Sequence, residues 1–142
     1  MKFRKLTASD LPLAMGMNAD FRENFMTQEG GVRFLTDERN WLFAAIEEEK
    51  IVGFAYGCEL QRPNGTTSLY IHEVGVMESR QRQGVGTAML EALKDACRAR
   101  GIAKFFLYTE QANVGANALY RKTGGGVGVD SQGNDRAYWF NV

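Results

Sequence analysis

An acid stands inside an otherwise apolar run at Tyr70-Ile71-His72-Glu73-Val74, and a buried carboxylate is costly unless it has a partner or a task. Glu73 is therefore the first candidate for a general base. His72 precedes it and faces the other side if the strand is regular, although a bulge would change that. Eight residues beyond Glu73 begins Gln81-Arg82-Gln83-Gly84-Val85-Gly86-Thr87, a polar loop running into an apolar periodicity of three and four. The first turn of such a helix exposes N–H groups without internal partners at the positive end of the dipole, so its natural guest is a phosphate. Gly84 and Gly86 are expected to let a pyrophosphate approach those amides. Further along, Tyr120 carries a phenolic proton on a second helical stretch opening at Asn113 and Ala116.

Two familiar phosphate loops do not fit. A Walker loop ends in Gly-Lys-Ser/Thr, whereas Gly86 is followed by Thr87 and Ala88. A dinucleotide-binding turn needs a third glycine where Met89 stands, and a tight turn where seven residues separate Val76 from Gly84. A thiol nucleophile is not favoured, because Cys58 and Cys97 fall in core patterns and His72 is the chain's one histidine. No spacing suggests metal ligands.

The elements that must hold these residues follow from pattern. Val85, Ala88, Met89, Ala92, Leu93, Ala96 and Cys97 form the buried stripe of a helix ended by Gly101. Before it, Trp41 to Glu47, Ile51 to Leu60 and Ser68 to Val76 read as three antiparallel strands, with Pro63-Asn64-Gly65 turning the last pair. The chain opens with a short strand at Phe3 to Leu6. A helix is expected from Thr7 or Ser9 through about Phe25, broken by Gly30-Gly31, with a short helix at Val32 to Leu35. After the main helix come a buried strand, Lys104 to Thr109, a helix from Asn113 to Thr123, and a closing hairpin, Val127 to Val129 with Ala137 to Val142. A length of 142 residues makes one domain, residues 1–142.

Gln81-x-x-Gly84-x-Gly86 after Val74-x-Val76, with Asn113, Ala116, Tyr120 and Gly124 in a second signature, resembles the GCN5-related N-acetyltransferase (GNAT) family. The resemblance implies an α/β fold whose mixed, mostly antiparallel sheet is splayed between its fourth and fifth strands and flanked by helices. It implies acetyl-coenzyme A as cosubstrate, held by Val74, Val76, Gln81, Arg82, Gln83, Gly84, Val85, Gly86, Thr87, Asn113, Ala116 and Tyr120. It also implies direct attack of a primary amine on the thioester, with Glu73 as base and Tyr120 protonating the departing thiolate. The runs Ser68 to Val76, Arg82 to Gly84 and Ala118 to Lys122 are similar to GNAT-type aminoglycoside 3-N-acetyltransferases, which carry an aspartate where Glu73 stands, and Asp20 to Phe25 resembles their acceptor-side helix. Peptide, protein and polyamine acetyltransferases, and a non-catalytic acyl-coenzyme A sensor, are the alternatives.

Charge bears on the acceptor. Lys plus Arg and Asp plus Glu both number 17, so no global excess points to nucleic acid or a membrane. Asp10 to Glu49, however, holds nine acids against three bases, a net of −6. Asp20, Glu23 and Glu59 are accordingly expected to attract a small cationic amine. The chain lacks a signal-like N-terminus and an apolar run of membrane length, so a cytoplasmic location is expected. Exposed end strands would allow a homodimer.

Overall fold

The computed structural model describes residues 1–142. Seven strands form one sheet in the order β1-β2-β3-β4-β5-β7-β6: β1 Lys2–Lys5, β2 Asn40–Glu47, β3 Lys50–Gln61, β4 Thr67–Val76, β5 Lys104–Glu110, β6 Gly126–Val127 and β7 Asp135–Asn141. Every neighbouring pair is antiparallel except β4 and β5, which run parallel around the crossover helix α4, Val85–Ala99. That helix and α5, Val114–Lys122, pack on one face, where Met89, Leu90, Leu93 and Cys97 meet Phe43, Leu69 and Phe105. The short helices α1, Leu11–Met15, and α2, Met17–Asp20, with α3, Gln28–Thr36, cover β2 and β3 on the other face around Leu11, Leu35, Leu42 and Phe54. The expected strands and the two later helices all form, with ends shifted by a residue or two.

The N-terminal helical region differs from expectation. The helix does not run to Phe25 but stops at Asp20, because Asn18 brackets Met26: its Oδ1 accepts the Met26 N–H at 2.8 Å and its Nδ2 donates to the Met26 carbonyl at 2.9 Å. This local alternative to helical bonding folds residues 21–26 back into a loop. Nor does Gly30-Gly31 break a helix; both lie inside α3, which Thr27 caps by accepting the Gly30 N–H at 3.0 Å. Packing explains Gly31, since a Cβ there would lie 2.6 Å from Leu11 Cδ1 and 2.8 Å from Met26 Sδ.

Candidate active site

The sheet opens where the register of β4 slips. Tyr56 on β3 pairs with Glu73 while its neighbour Gly57 pairs with Ile71, so His72 is an extra residue on β4. Such a bulge bends the strand and ends regular pairing on its far side. The parallel ladder to β5 accordingly runs from Ser68 to Ile71 and goes no further, leaving Val74 and Val76 beside a widening gap. The Met77 N–H donates to Val52 O on β3 at 2.9 Å, and alternation along the strand then turns the N–H groups of Val74 and Val76 toward the gap. In agreement, the Val76 carbonyl accepts Gln81 Nε2 at 3.0 Å from that side. Gln81 thus ties the loop to the strand, and Gln83 Nε2 likewise donates to Ser79 O at 3.2 Å.

The turn they brace is rich in free donors. None of the backbone N–H groups from Arg82 to Thr87 has a backbone acceptor, and the α4 ladder begins with Ala88 N–H on Gly84 O. Gly84, the cap of α4, has φ +82°, and a Cβ there would meet nothing within 4 Å. Its glycine meets a backbone demand and leaves the outer side of the turn open. Gly86 also has a packing reason. A Cβ there would lie 3.1 Å from Leu119 Cδ2, so its missing side chain lets α5 pack against the start of α4. Arg82, with φ +62°, is exposed and makes no ion pair, a free cation at the rim.

α5 begins with Asn113, whose side chain accepts the Ala116 N–H at 3.1 Å, so Asn113 is a helix cap. Sequence reasoning missed Asn117, a polar residue buried inside the helix. Its Nδ2 donates to Glu110 O at 3.0 Å, and its Oδ1 accepts Tyr138 Oη at 2.6 Å, fixing the end of β5 to α5 and β7. The only sequence signal was an asparagine at an interior helical position. One turn later, the Tyr120 ring packs at 5.4 Å from Tyr138 and 6.2 Å from Phe140. Burial first, then the neighbouring Tyr138, push the Tyr120 phenol up to about 12. No buried side-chain oxygen lacks a partner, and the Tyr120 hydroxyl makes no internal hydrogen bond, so it reaches solvent.

On the opposite face of the bulge, Glu73 is held by Arg22 in a two-pronged pair, Nη1 to Oε2 at 2.6 Å and Nη2 to Oε1 at 2.8 Å. Arg22 in turn lies 4.7 Å over the Phe25 ring. The bond to Glu73 raises the Arg22 pKa, whereas burial and then the Glu73 charge raise the Tyr56 phenol. The bulge sets His72 on the same face as Glu73: its ring centroid is 5.3 Å from Tyr56, and Nδ1 is 3.2 Å from Tyr70 Oη. A regular strand would have put the two residues on opposite faces. Two contiguous residues of β4 therefore present an acid and an imidazole together, a consequence of the extra residue that no periodicity reveals.

The acidic cluster expected beside them is not assembled. Glu59 lies on the other face, where its carboxylate accepts Trp41 Nε1 at 2.8 Å and Arg100 Nε at 2.7 Å and is 5% exposed. It joins β3 to the far end of α4, with its carboxylate taken up by Trp41 and Arg100. Asp20 pairs with Lys50 at 3.3 Å, and Glu23 is exposed without an ion-pair partner. Asp10 and Glu47 pair with Arg4 and Arg80 from outside the segment, and Glu29 and Asp37 with Arg33 and Arg39, whose charges the net of −6 already includes; the outside cations Arg4, Lys50 and Arg80 offset only part of that charge and disperse it over separate sites. No group of three or more ligating side chains gathers at a metal-sized site, and no helix is long and apolar enough to cross a membrane.

The structure thus brings together a gap beside free strand amides and an amide-lined turn at a helix start, with Glu73 paired to Arg22 on one face of the sheet and Tyr120 packed against Tyr138 and Phe140 on the other. Residues 11–125 match the family model described as Acetyltransferase (GNAT) family, and the chain belongs to that family of acetyltransferases. A mycothiol acetyltransferase of Clavibacter michiganensis subsp. michiganensis is 35% identical over 81 residues, covering 57% of this chain and 25% of that protein. The chain thus spans about a quarter of the length of the curated relatives it matches. Among solved structures, an aminoglycoside acetyltransferase from an uncultured soil metagenomic sample, in complex with trehalose, superposes with a TM-score of 0.75 at 27% identity, over 87% of this chain and 86% of that one. The GNAT domain of S. lividans PAT shares the fold alone, with a TM-score of 0.80 at 16% identity over 99% and 89% of the two chains.

Proposed function

We propose that this chain is an N-acetyltransferase that moves the acetyl group of acetyl-coenzyme A to a primary amine by direct attack in a ternary complex. The observation that carries this reading is the run of unpartnered N–H groups from Arg82 to Thr87 next to the gap beside Val74 and Val76. An N–H-lined helix start suits a pyrophosphate, and a free strand edge suits the amides of a pantetheine arm. When bound, the cosubstrate supplies an activated acetyl thioester. Arg82 adds a cation at the rim of the turn, and the Val74 and Val76 amides polarise the acetyl carbonyl where negative charge develops. Glu73, released from Arg22, takes a proton from the acceptor amine, directly or through water, as its nitrogen bonds to the acetyl carbon. Tyr120 gives its phenolic proton to the sulfur as the carbon–sulfur bond breaks.

For the acceptor, the favoured reading is an aminoglycoside acetylated at a 3-amino position. It is supported by the metagenomic aminoglycoside acetyltransferase above, which has also been solved with sisomicin at 26% identity. Only Asp10, Asp20 and Glu47 of the −6 segment pair with cations from outside it, so the segment stays acidic and favours a cationic acceptor in general rather than an aminoglycoside in particular. The test is thiol release from acetyl-coenzyme A with aminoglycosides, polyamines and peptides in parallel. The reading predicts the highest kcat/KM with an aminoglycoside. Preference for peptide N-termini would transfer the function to the peptide class, and cofactor binding without thiol release to any amine would mark a sensor.

A further inference from the structure

A cavity of about 280 Å³ opens under the loop between α2 and α3. Phe25, Met26, Phe34, Leu42 and Tyr56 form its walls, and Arg22 stands at its rim. Its walls are organised before any ligand arrives: Tyr56 meets the Phe25 ring edge-on at 6.1 Å and the Phe34 ring at 6.0 Å, and Asn18 fixes Met26 from behind. The position matters as much as the shape. Tyr56 is the ladder partner of Glu73, and Arg22 holds the Glu73 carboxylate, so the cavity opens within one side chain of the base. No acid lines it, so it offers nothing to the several ammonium groups of a polycation.

We propose that this cavity is an acceptor subsite for the apolar substituent of a primary monoamine, such as an arylalkylamine or the amide of an apolar amino acid, and that the same centre acetylates such amines. The inference rests on Glu73 being the base proposed above, and extends the acceptor range beyond aminosugars. An apolar cavity of about 150 Å³ accommodates benzene. The present one therefore takes one aromatic ring with the short linker that brings its amine to Glu73. There the ammonium replaces the Arg22 guanidinium charge for charge. Arg22, whose side chain is 51% exposed, swings out to solvent. The bound ammonium first gives one proton to solvent and becomes the neutral nucleophile; then one carbon–nitrogen bond forms, one carbon–sulfur bond breaks, the second nitrogen proton goes to Glu73 and the sulfur gains the Tyr120 proton.

The test is a homologous series of primary alkylamines and phenylalkylamines at saturating acetyl-coenzyme A, read as thiol release. Each methylene that enters the cavity should raise kcat/KM roughly fourfold, until the volume is filled and the trend reverses. Phe34→Ala, which removes a half-buried wall, should flatten the series while leaving aminoglycoside turnover unchanged. The series in the unaltered chain tests the subsite without any variant. A flat series beside good aminoglycoside turnover overturns the subsite and leaves the proposed function standing. A steep series that Phe34→Ala does not change also overturns it, placing the apolar contact elsewhere. Thiol release with no amine of any kind overturns both.

Discussion

Replacing Tyr120 by phenylalanine separates its chemical role from its structural one. The ring keeps its contacts with Tyr138 and Phe140, and the lost hydroxyl has no hydrogen-bond partner within the chain. Stability should therefore change by no more than about 0.5 kcal/mol, a shift in Tm of about 2 °C at most. The rate should change far more. A phenol pushed to about 12 keeps its proton at every working pH, yet it is a reluctant donor to a thiolate whose own pKa is near 8.5. General acids contribute about 10² to 10⁴ in rate, and this mismatch places Tyr120 toward the lower end, about 10². The assay is single-turnover thiol release after rapid mixing, with calorimetry to confirm unchanged cosubstrate affinity. Wild-type profiles should show no loss of activity from Tyr120 ionisation below about pH 11, since the raised value favours the neutral, active form up to there. Wild-type turnover in Tyr120→Phe would remove the acid role, and a loss of more than about 2 kcal/mol in stability would make the hydroxyl structural.

Other outcomes follow from the same geometry. Glu73→Gln should lower kcat by about 10² to 10⁴ near neutral pH and recover in part at higher pH, where more acceptor amine is already neutral; a parallel pH profile would contradict the base role. Glu59→Ala should leave kcat and KM intact yet destabilise by about 1 to 3 kcal/mol in urea, because Trp41 Nε1 loses its acceptor; altered acceptor affinity would restore the original expectation for Glu59. Asp10, lowered to about 2 chiefly by its bond to Arg4, contributes stability that is complete above the usual carboxylate range and lost as pH falls through about 2; Asp10→Asn should remove that part of the acid-unfolding curve.

Much of this site was legible because its parts are local. The helix stripe from Val85 to Cys97, the loop length before it and the alternation of the strands depend on neighbours in sequence, and the structure contains them. What was not legible depends on contacts between distant segments. Nothing in the spacing of β4 shows that His72 is extra, because a bulge is defined by its partner strand. Arg22 is 51 positions from Glu73, and only the folded loop brings them together. Glu59 was misplaced for the same reason: acidity in sequence says nothing about which face of the sheet receives the carboxylate or whether Arg100 awaits it. Gly31 looked like a helix breaker because its packing partners, Leu11 and Met26, come from other elements.

The central claim is that the turn from Gln81 to Thr87 binds the cosubstrate pyrophosphate, and calorimetry of acetyl-coenzyme A with Gly84→Asp tests it most directly. Asparagine and aspartate tolerate the left-handed backbone that Gly84 adopts, and nothing lies within 4 Å to clash. Gly84→Asn therefore controls for bulk and backbone strain. A carboxylate beside the phosphates adds repulsion of roughly 1 to 2 kcal/mol at this solvent-exposed turn, a weakening of about five- to thirtyfold. Affinity lost in Gly84→Asp and largely kept in Gly84→Asn is the predicted result; equal affinity in Gly84→Asp and the unaltered chain would place the cosubstrate elsewhere.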